Sequence, residues 1–225
     1  MIAGAIFDMD GTLLDSMCVW DQLSQRYLDK FGVRITAIDY AALEARTQYQ
    51  GAEYFCERYP EITETPAEVA QGLDDLIRAR YEALARPREG VYDLLDALRG
   101  RGVRMAVATL TDREHAEKAL RDREMLDYFD FMLTIHDVGV SKRDPKIYYE
   151  TAKRLHLPPA SCLVFEDAPY AAQTAKKAGF PVCGVLEPTY AAGEKQLRAA
   201  SDWFVERSFS EVQDSILQST QQPAK

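Results

Sequence analysis

Two aspartates lie two positions apart near the start of the chain, where a short apolar run ends. They are Asp8 and Asp10, which follow residues 4–7 and precede Gly11 and Thr12. A strand that ends here projects the first carboxylate from the edge of a sheet, and the glycine permits a tight turn beside it. Two carboxylates this close suit either separate acid and base duties or joint binding of a metal ion. A solvated turn is the alternative, and the apolar run and the Gly-Thr pair favour the site.

Polar side chains also follow three later apolar runs. Thr109 offers a hydroxyl, Lys142 offers a cation, and Glu166 with Asp167 forms a second acidic pair. Each of these strand ends also has an ordinary structural interpretation. Thr111, two residues after Thr109, could simply cap a helix. The lysine could lie on the surface, and the acidic pair could cap the next helix. Since parallel strands end at one edge of a sheet, their joint occurrence favours a single crevice that holds all of these groups.

The charge of such a crevice indicates what it binds. If Asp8, Glu166 and Asp167 lie within ~4–6 Å of one another, they raise one another's pKa values unless cations intervene. Lys142 supplies one positive charge, which is not enough. Mg²⁺, with carboxylate, water and phosphate oxygens as ligands, fits best. A phosphoryl group in line with Asp8 would then contact Lys142 and the Thr109 hydroxyl, and phosphoryl transfer requires such positioning and electrostatic elements.

A sheet must position these groups, and the apolar runs before them are typical of buried strands. Amphipathic helices separate the later runs; Val91, Leu94, Leu95 and Leu98, for example, recur at helical spacing before Gly100. This alternation predicts an α/β fold with a doubly wound parallel sheet, which binds ligands at the carboxyl ends of its strands. The predicted strands are residues 4–7, 103–108, 129–134, 162–165, 182–185 and 203–205.

Four residues near the predicted site have structural interpretations. Thr111 and Glu114 show capping-box spacing, which predicts the start of a helix. We interpret His115 as a surface residue of that helix, and His136 as a loop residue near a strand end.

One stretch interrupts the alternation of strands and helices. Between Ser16 and Ala85 the sequence shows helical patterns and no convincing strand. Residues 65–68, Thr-Pro-Ala-Glu, begin one of these helices with a cap, an early proline and capping-box spacing. We therefore expect two domains, a core of residues 1–16 and 86–225 and a small helical cap of residues 17–85 inserted after the first strand. We interpret the cap as a mobile lid above the carboxyl end of the sheet.

The composition is typical of an ordinary globular protein. The 225 residues carry 27 Lys and Arg against 36 Asp and Glu, and the net charge of −9 argues against sequence-independent nucleic-acid binding. No apolar run approaches the ~20 residues that span a bilayer, and the first residues lack the basic region of a signal peptide. The four cysteines form no CxxC pair, which suits a reducing compartment. We expect a cytoplasmic monomer or weak dimer without a nucleic-acid or membrane partner.

The order and spacing of these motifs resemble the haloacid dehalogenase-like hydrolase superfamily, in the branch with a helical cap inserted after the first motif. The matching segments are residues 7–16, the strand end at Thr109, Lys142 with Pro145, and residues 164–168. In order and spacing they cover essentially the whole chain. The resemblance implies a core of the type found in this superfamily, with a Rossmann-like sheet.

The resemblance also implies the role of each site residue. Asp8 would be the nucleophile that becomes an aspartyl-phosphate. Asp10 would protonate the leaving oxygen and later deprotonate the attacking water. Thr109 and Lys142 would hold the phosphoryl oxygens. These roles agree with general chemistry, because an aspartate of reference pKa ~3.9 is ionised at neutral pH and needs no activating base.

The same resemblance implies a magnesium cofactor. Its ligands would be the Asp8 side chain, the Asp10 main-chain carbonyl and Asp167. Glu166 would be either a further ligand or a residue that supports the ligands. The implied partner is a small phosphorylated substrate.

We expect a phosphatase that acts on a sugar phosphate or similar metabolite, and a mutase of the β-phosphoglucomutase type is the alternative. Asp10 favours phosphate esters, because the dehalogenases of the superfamily lack an acidic residue there. Such mutases carry a histidine where this chain has Trp20, and an arginine for which the best match within residues 44–48 is Gln48. Both differences favour a hydrolase. A phosphonate hydrolase would need a cap lysine, and we interpret the single candidate, Lys30, as a surface residue.

Overall fold

The structure is a computed structural model that describes residues 1–43 and 46–220. The chain forms two compact units. The first contains Met1–Met17 and the residues from Arg86 onward, and the second contains Cys18–Ala85. The second unit is therefore an insertion into the sequence of the first.

Most of the strands belong to one parallel sheet in the first unit. Among the described residues, the strands are β1 (Gly4–Phe7), β2 (Leu14–Asp15), β3 (Arg86–Pro87), β4 (Arg104–Thr109), β5 (Phe131–Thr134), β6 (Cys162–Glu166), β7 (Val182–Val185) and β8 (Trp203–Val205). Strands β2 and β3 pair with each other in antiparallel orientation, at the two ends of the insertion. The other six form a sheet of order β5-β4-β1-β6-β7-β8, in which all neighbours are parallel. This confirms the predicted α/β fold with a doubly wound parallel sheet.

The helices connect the strands in the first unit and make up the second. They are α1 (Met17–Trp20), α2 (Leu23–Leu28), α3 (Ala37–Leu43), α4 (Gln48–Arg58), α5 (Pro66–Leu84), α6 (Val91–Gly100), α7 (Arg113–Arg121), α8 (Ile135–Val138), α9 (Lys146–Arg154), α10 (Pro169–Lys177), α11 (Glu194–Ala200) and α12 (Gln213–Gln218). Short 3₁₀ turns lie at Asp29–Phe31, Leu126–Tyr128, Pro159–Ser161, Pro188–Gly193 and Phe209–Glu211.

The core of the first unit lies between the sheet and its helices. Helix α9 packs against β1, β4 and β5, and α10 packs against β6 and β7. The cluster between them contains Ile6 and Val164 from the strands and Ile147 and Ala172 from the helices, all fully buried. Strands β1, β6 and β7 are buried along their whole length and β4 along all but its first residue, as expected of central strands of a parallel sheet that helices cover.

The second unit has a hydrophobic cluster of its own. Tyr27, Leu28, Phe55, Val69 and Leu73 are buried together where α2, α4 and α5 meet. The predicted start of α5 is confirmed. The Glu68 amide donates to the Thr65 hydroxyl, and the Thr65 amide donates to the Glu68 carboxylate, which is a capping box. These contacts explain why a polar helical sequence without strands folds as a compact unit.

Helix α7 begins at the predicted place, but its N-terminal cap position is Asp112 rather than Thr111, and the Asp112 side chain makes no capping hydrogen bond. His115, predicted to lie on the surface, is 5% exposed, because the face of α7 that carries Ala116 and Leu120 turns inward. His136, interpreted as a loop residue, lies in α8.

Two further observations concern the described part of the chain as a whole. None of its helices combines the length and the apolar character that a membrane crossing requires. The four cysteines are free thiols. Burial raises the pKa of Cys162 to about 11 and that of Cys183 further still.

Candidate active site

The strand order brings Asp8 to the middle of the carboxyl edge of the sheet. Strand β1 pairs with β4 on one side and β6 on the other, in registers that align Phe7 with Val107 and with Phe165. The Asp8 amide extends the second ladder by donating to the Phe165 carbonyl oxygen at 3.0 Å. Asp8 therefore lies between Thr109, which ends β4, and the acidic pair at the end of β6.

Three carboxylates converge at this edge. One oxygen from each of Asp8, Glu166 and Asp167 lies within 4.8 Å of the others, and all three residues are buried. Lys142 comes from the loop between α8 and α9, and its Nζ donates to Asp8 Oδ1 at 2.5 Å and to Glu166 Oε1 at 2.6 Å. The structure thus brings together four residues that the sequence predicted to meet.

The electrostatics of this cluster follow from its burial. Burial raises the pKa of Asp8 to about 7, and Glu166 adds to the rise although Lys142 opposes it. Burial also raises the pKa of Asp167 well above its usual value, and the carboxylates of Asp8 and Glu166 raise it further. Burial by itself would lower the pKa of Lys142, but Asp8 and Glu166 outweigh it and hold that pKa above its usual value. Lys142 is therefore a permanent cation that leaves the carboxylates incompletely neutralised.

Two hydroxyl groups hold the second aspartate. Ser16 Oγ donates to Asp10 Oδ1 at 2.5 Å, and Thr111 Oγ1 donates to Asp10 Oδ2 at 2.6 Å. Each carboxylate oxygen therefore has its own hydroxyl donor, which fixes the orientation of the group. The Asp10 carboxylate does not belong to the three-carboxylate cluster of the described residues. Its metal contact through the main-chain carbonyl remains a prediction.

Gly11 brings the first motif against the last acid. Its φ is +86°, and a Cβ built there would lie 2.2 Å from Asp167 Oδ2. The next residue, Thr12, donates its hydroxyl to Asp167 Oδ1 at 3.3 Å. The Gly-Thr pair therefore does more than permit the turn after Asp10. Gly11 leaves room for the Asp167 carboxylate, and Thr12 orients it by a hydrogen bond.

The sequence that builds this geometry matches a known family. A model of the haloacid dehalogenase-like (HAD-like) hydrolase family matches residues 2–179, which include the three carboxylates, the lysine and four strands of the large sheet, β1, β4, β5 and β6. The chain belongs to this family. The predicted family is thereby confirmed.

Several curated relatives of this HAD-like hydrolase are named phosphatases. A phosphorylated carbohydrates phosphatase of Thermotoga maritima is 27% identical over 174 residues, which cover 77% of this chain and 80% of that protein. A validoxylamine A 7'-phosphate phosphatase of Streptomyces hygroscopicus subsp. limoneus is 30% identical over 188 residues, which cover 80% of this chain and 84% of that protein. These names confirm the predicted enzyme class, a HAD-like phosphatase.

The fold also matches solved structures. A Thermotoga maritima protein, named provisionally as a β-phosphoglucomutase, has a TM-score of 0.75 and 25% identity, and the match covers 97% of this chain and 99% of that one. The match extends over the helical insertion as well as the sheet, since it covers nearly the whole chain.

The acidic cluster of this HAD-like hydrolase fits a divalent metal ion. Asp8 Oδ2, Glu166 Oε2 and Asp167 Oδ2 are buried and lack a hydrogen-bond partner within the described chain. When all three carboxylates are ionised, their three negative charges against the one positive charge of Lys142 leave a net charge of −2. Carboxylate oxygens in this number are suited to a hard cation.

Thr109, which the sequence predicts to bind phosphate, lies at the same edge of the sheet as Asp8. Thr109 is 1% exposed at the end of β4, beside the strand that carries Asp8. Its Oγ1 accepts a hydrogen bond from the Thr111 amide at 3.1 Å. That bond uses an acceptor position of the hydroxyl and restricts where its own hydrogen can point.

Residues of the insertion that the sequence singled out have structural partners within that unit. Trp20 packs edge-on against the ring of Tyr81 at 5.9 Å. The Gln48 side chain donates to the Ala70 carbonyl oxygen at 2.9 Å. Lys30 forms an ion pair of 2.8 Å with a carboxylate of the same unit and is half-exposed, as predicted. Residues 44 and 45, part of the segment compared with the mutases, lie outside the described residues.

Sequence reasoning missed Tyr148. This fully buried residue of α9 donates its hydroxyl to Glu166 Oε1 at 2.8 Å. A signal was present, because Tyr148 falls in the buried stripe of α9 with Ile147, Thr151 and Ala152. A tyrosine buried in a helix stripe needs a partner for its hydroxyl, and an acidic strand end is one such partner.

Proposed function

We propose that this HAD-like hydrolase is a Mg²⁺-dependent phosphatase that releases phosphate from a small phosphorylated sugar or similar metabolite, through an aspartyl-phosphate. The observation that carries the proposal is the convergence of Asp8, Lys142 and Asp167 at one buried point. The substrate class is supported by the relatives, which are named for phosphorylated carbohydrates and for a phosphorylated validoxylamine.

The two aspartates divide the chemistry between them. In the first step a carboxylate oxygen of Asp8 attacks phosphorus, the bond from phosphorus to the ester oxygen breaks, and Asp10 gives its proton to that oxygen. In the second step Asp10 takes a proton from water, the water oxygen attacks phosphorus, and the bond to Asp8 breaks. One water is consumed, phosphate and a neutral alcohol leave, and both aspartates return to their starting states.

The surrounding residues position these groups. The hydroxyls of Ser16 and Thr111 hold the Asp10 carboxylate at fixed orientation, so its proton is delivered along one direction. Lys142 already contacts Asp8 and would bind a phosphoryl oxygen on the same side, and the Thr109 hydroxyl would donate to another. Fixed donors of this kind stabilise the charge that develops on phosphoryl oxygens.

The magnesium ligands in this proposal are the Asp8 side chain, the Asp10 main-chain carbonyl and Asp167. Glu166 either joins them or supports them. When bound, Mg²⁺ offsets the negative charge of the phosphoryl oxygens and of the carboxylates. The buried unpartnered oxygens of the cluster support this assignment.

The helical insertion has a role in the same proposal. We propose residues 17–85 as a cap domain, and residues 1–16 and 86–225 as the catalytic core. The cap would select the substrate and exclude bulk water during the reaction. The four free cysteines support a reducing, cytoplasmic setting, which we propose together with a monomer or weak dimer as the oligomeric state.

A phosphosugar mutase is the second candidate, because a solved structure of this fold carries the name β-phosphoglucomutase. Two observations favour the hydrolase. The sequence between Ser16 and Ala85 contains no histidine. Gln48, the best match to the expected arginine, is hydrogen-bonded to the Ala70 carbonyl oxygen of the insertion.

The test is phosphate release from p-nitrophenyl phosphate and from a panel of sugar phosphates, phosphoglycolate, nucleotides and pyrophosphate, with and without Mg²⁺. We expect Mg²⁺-dependent release that is lost in Asp8→Asn and kept in Asp122→Asn, a control on the exposed end of α7. Release by Asp8→Asn at the normal rate would refute the proposed nucleophile. Conversion of β-glucose 1-phosphate to glucose 6-phosphate without net phosphate release, followed by ³¹P NMR, would establish the mutase instead.

A further inference from the structure

One oxygen of Glu166 accepts two hydrogen bonds while the other accepts none. Lys142 Nζ and the Tyr148 hydroxyl both donate to Oε1, at 2.6 and 2.8 Å. Oε2 is buried and unpartnered within the described chain. Two donors on one oxygen fix the plane of the carboxylate, and the plane decides where the second oxygen points. Glu166 is one of the three residues whose oxygens converge within 4.8 Å.

Tyr148 is well suited to hold this carboxylate. Its side chain is fully buried within the cluster between α9 and the sheet. Its ring contacts that of Phe180, with centroids 6.0 Å apart. Burial, and then the charge of Glu166, hold the pKa of the Tyr148 hydroxyl well above its usual value. The hydroxyl therefore stays protonated and can donate a hydrogen bond. Because the ring is packed in the core, the hydroxyl cannot move to a different acceptor.

Lys142 by itself would not provide the same restraint. Its ammonium group is shared between Asp8 Oδ1 and Glu166 Oε1, and the side chain ends in rotatable bonds. Tyr148 contacts Glu166 from the helix that follows the lysine loop, so it fixes the carboxylate independently of the lysine. With Glu166 held in this way, Lys142 remains in position to contact Asp8.

We propose that Tyr148 is a positioning residue of the metal site, which aims Glu166 Oε2 at the acidic cluster and so tightens binding of a divalent cation. The inference rests on the proposed Mg²⁺ dependence and deepens it. Residues that orient metal ligands by hydrogen bonds change metal affinity by about 10- to 100-fold when they are replaced. A purely structural tyrosine would change the stability of the fold and leave the affinity for the ion as it was.

The test compares Tyr148→Phe with Tyr149→Phe. Both remove one hydroxyl from neighbouring positions of α9, but the Tyr149 hydroxyl donates to the Ala178 carbonyl oxygen at 3.2 Å on the exposed side. Mg²⁺ binding to the metal-free proteins is measured by titration calorimetry, with thermal unfolding as the check of folding. We expect the dissociation constant to rise about 10-fold or more in Tyr148→Phe and to stay within about two-fold of the wild type in Tyr149→Phe.

A double-mutant cycle shows whether the effect passes through the acid. In a Glu166→Ala background, Tyr148→Phe should change the Mg²⁺ dissociation constant by less than about two-fold, because the group that it orients is gone. At saturating Mg²⁺, the kcat of Tyr148→Phe for p-nitrophenyl phosphate should approach the wild-type value, while the Mg²⁺ concentration for half-maximal rate rises.

The outcomes separate this inference from the proposed function. A wild type that binds Mg²⁺ and releases phosphate, together with an unchanged dissociation constant in Tyr148→Phe, would overturn the role of Tyr148 alone. An effect of equal size with and without Glu166 would also overturn it, since the tyrosine would then act by another route. A wild type that binds no Mg²⁺ in calorimetry would overturn the proposed cofactor and this inference together.

Discussion

Raising the pH of the metal-free protein from about 5 to about 8 should destabilise its first unit. The cause is the buried acidic cluster, in which burial raises the pKa of Asp8 to about 7 and that of Asp167 in the same direction. A carboxyl group with a raised pKa keeps its proton in the folded state at a pH where the unfolded chain has released it. The folded state then binds more protons than the unfolded state, so the free energy of unfolding falls as the pH rises.

The size of the effect follows from Asp8. Its unfolded reference value is 3.8 and its folded value is about 7. Between pH ~5 and ~8 this difference removes roughly 2 to 3 kcal/mol of stability, and Asp167 adds to the loss. Groups with lowered pKa, such as Glu64 and Glu211, lose their contribution only as the pH falls below their unfolded value of 4.5, so they contribute a constant amount over this window. Asp8 is 7% exposed, so solvent screening reduces the effect little.

The assay is urea unfolding in the presence of a chelator. The sequence contains two tryptophans, Trp20 in the insertion and Trp203 in β8. In a Trp20→Phe background, the emission of Trp203 therefore reports on the first unit. The free energy of unfolding should fall across the window in this background, and the fall should be much smaller after the further substitution Asp8→Asn.

Two controls accompany this measurement. Glu64→Gln should leave the slope against pH unchanged, because the pKa of Glu64 is lowered and its titration ends below the window. Saturating Mg²⁺ should reduce the slope, because a bound cation lets the carboxylates ionise in the folded state. A stability that stays constant or increases from pH ~5 to ~8 without metal would refute the electrostatic account of the cluster.

Two substitutions test the positioning of the acids. Gly11→Ala should weaken Mg²⁺ binding and turnover by about ten-fold or more, because its Cβ would displace Asp167. Gly179→Ala is the control, since Gly179 has a similar φ of +88° but open space around it. That control should lower stability through backbone strain and leave Mg²⁺ binding unchanged. Equal binding by the two variants would contradict this reasoning. Thr111→Val should lower kcat about ten-fold by removing the hydroxyl that donates to Asp10 Oδ2, and Thr111→Ser should restore it. Initial rates with p-nitrophenyl phosphate decide this, and an unchanged kcat in Thr111→Val would count against the role of the hydroxyl.

The polar groups at the strand ends could be predicted because their positions are encoded locally. A buried parallel strand is a continuous apolar run, so its end is visible in the sequence as the first polar residue, such as Asp8 or Glu166. Three of the six sheet strands have the predicted bounds, Gly4–Phe7, Val182–Val185 and Trp203–Val205. The capping box at the start of α5 is equally local, since its partners lie three residues apart.

The hydrogen bonds of the site were less visible. Thr111 was interpreted as a helix cap, yet its hydroxyl donates to Asp10, which lies far away in the sequence. His115 was interpreted as a surface residue of its helix, and the packing of α7 decides that it is buried. A hydroxyl or an imidazole can satisfy several partners, so its residue type alone does not indicate which partner it has.

The sequence by itself therefore determined which residues of this HAD-like hydrolase could do chemistry, because the types of side chain and the ends of apolar runs are local properties. Only the tertiary structure decided that Lys142 bridges Asp8 and Glu166, that Gly11 admits Asp167, and that Tyr148 donates to Glu166 from within the core. The physical reason is that these contacts depend on the order of the strands and on the packing of α9 against them. The strand order and the packing of α9 are both set by the burial of apolar side chains throughout the first unit, and no single segment of the sequence determines them.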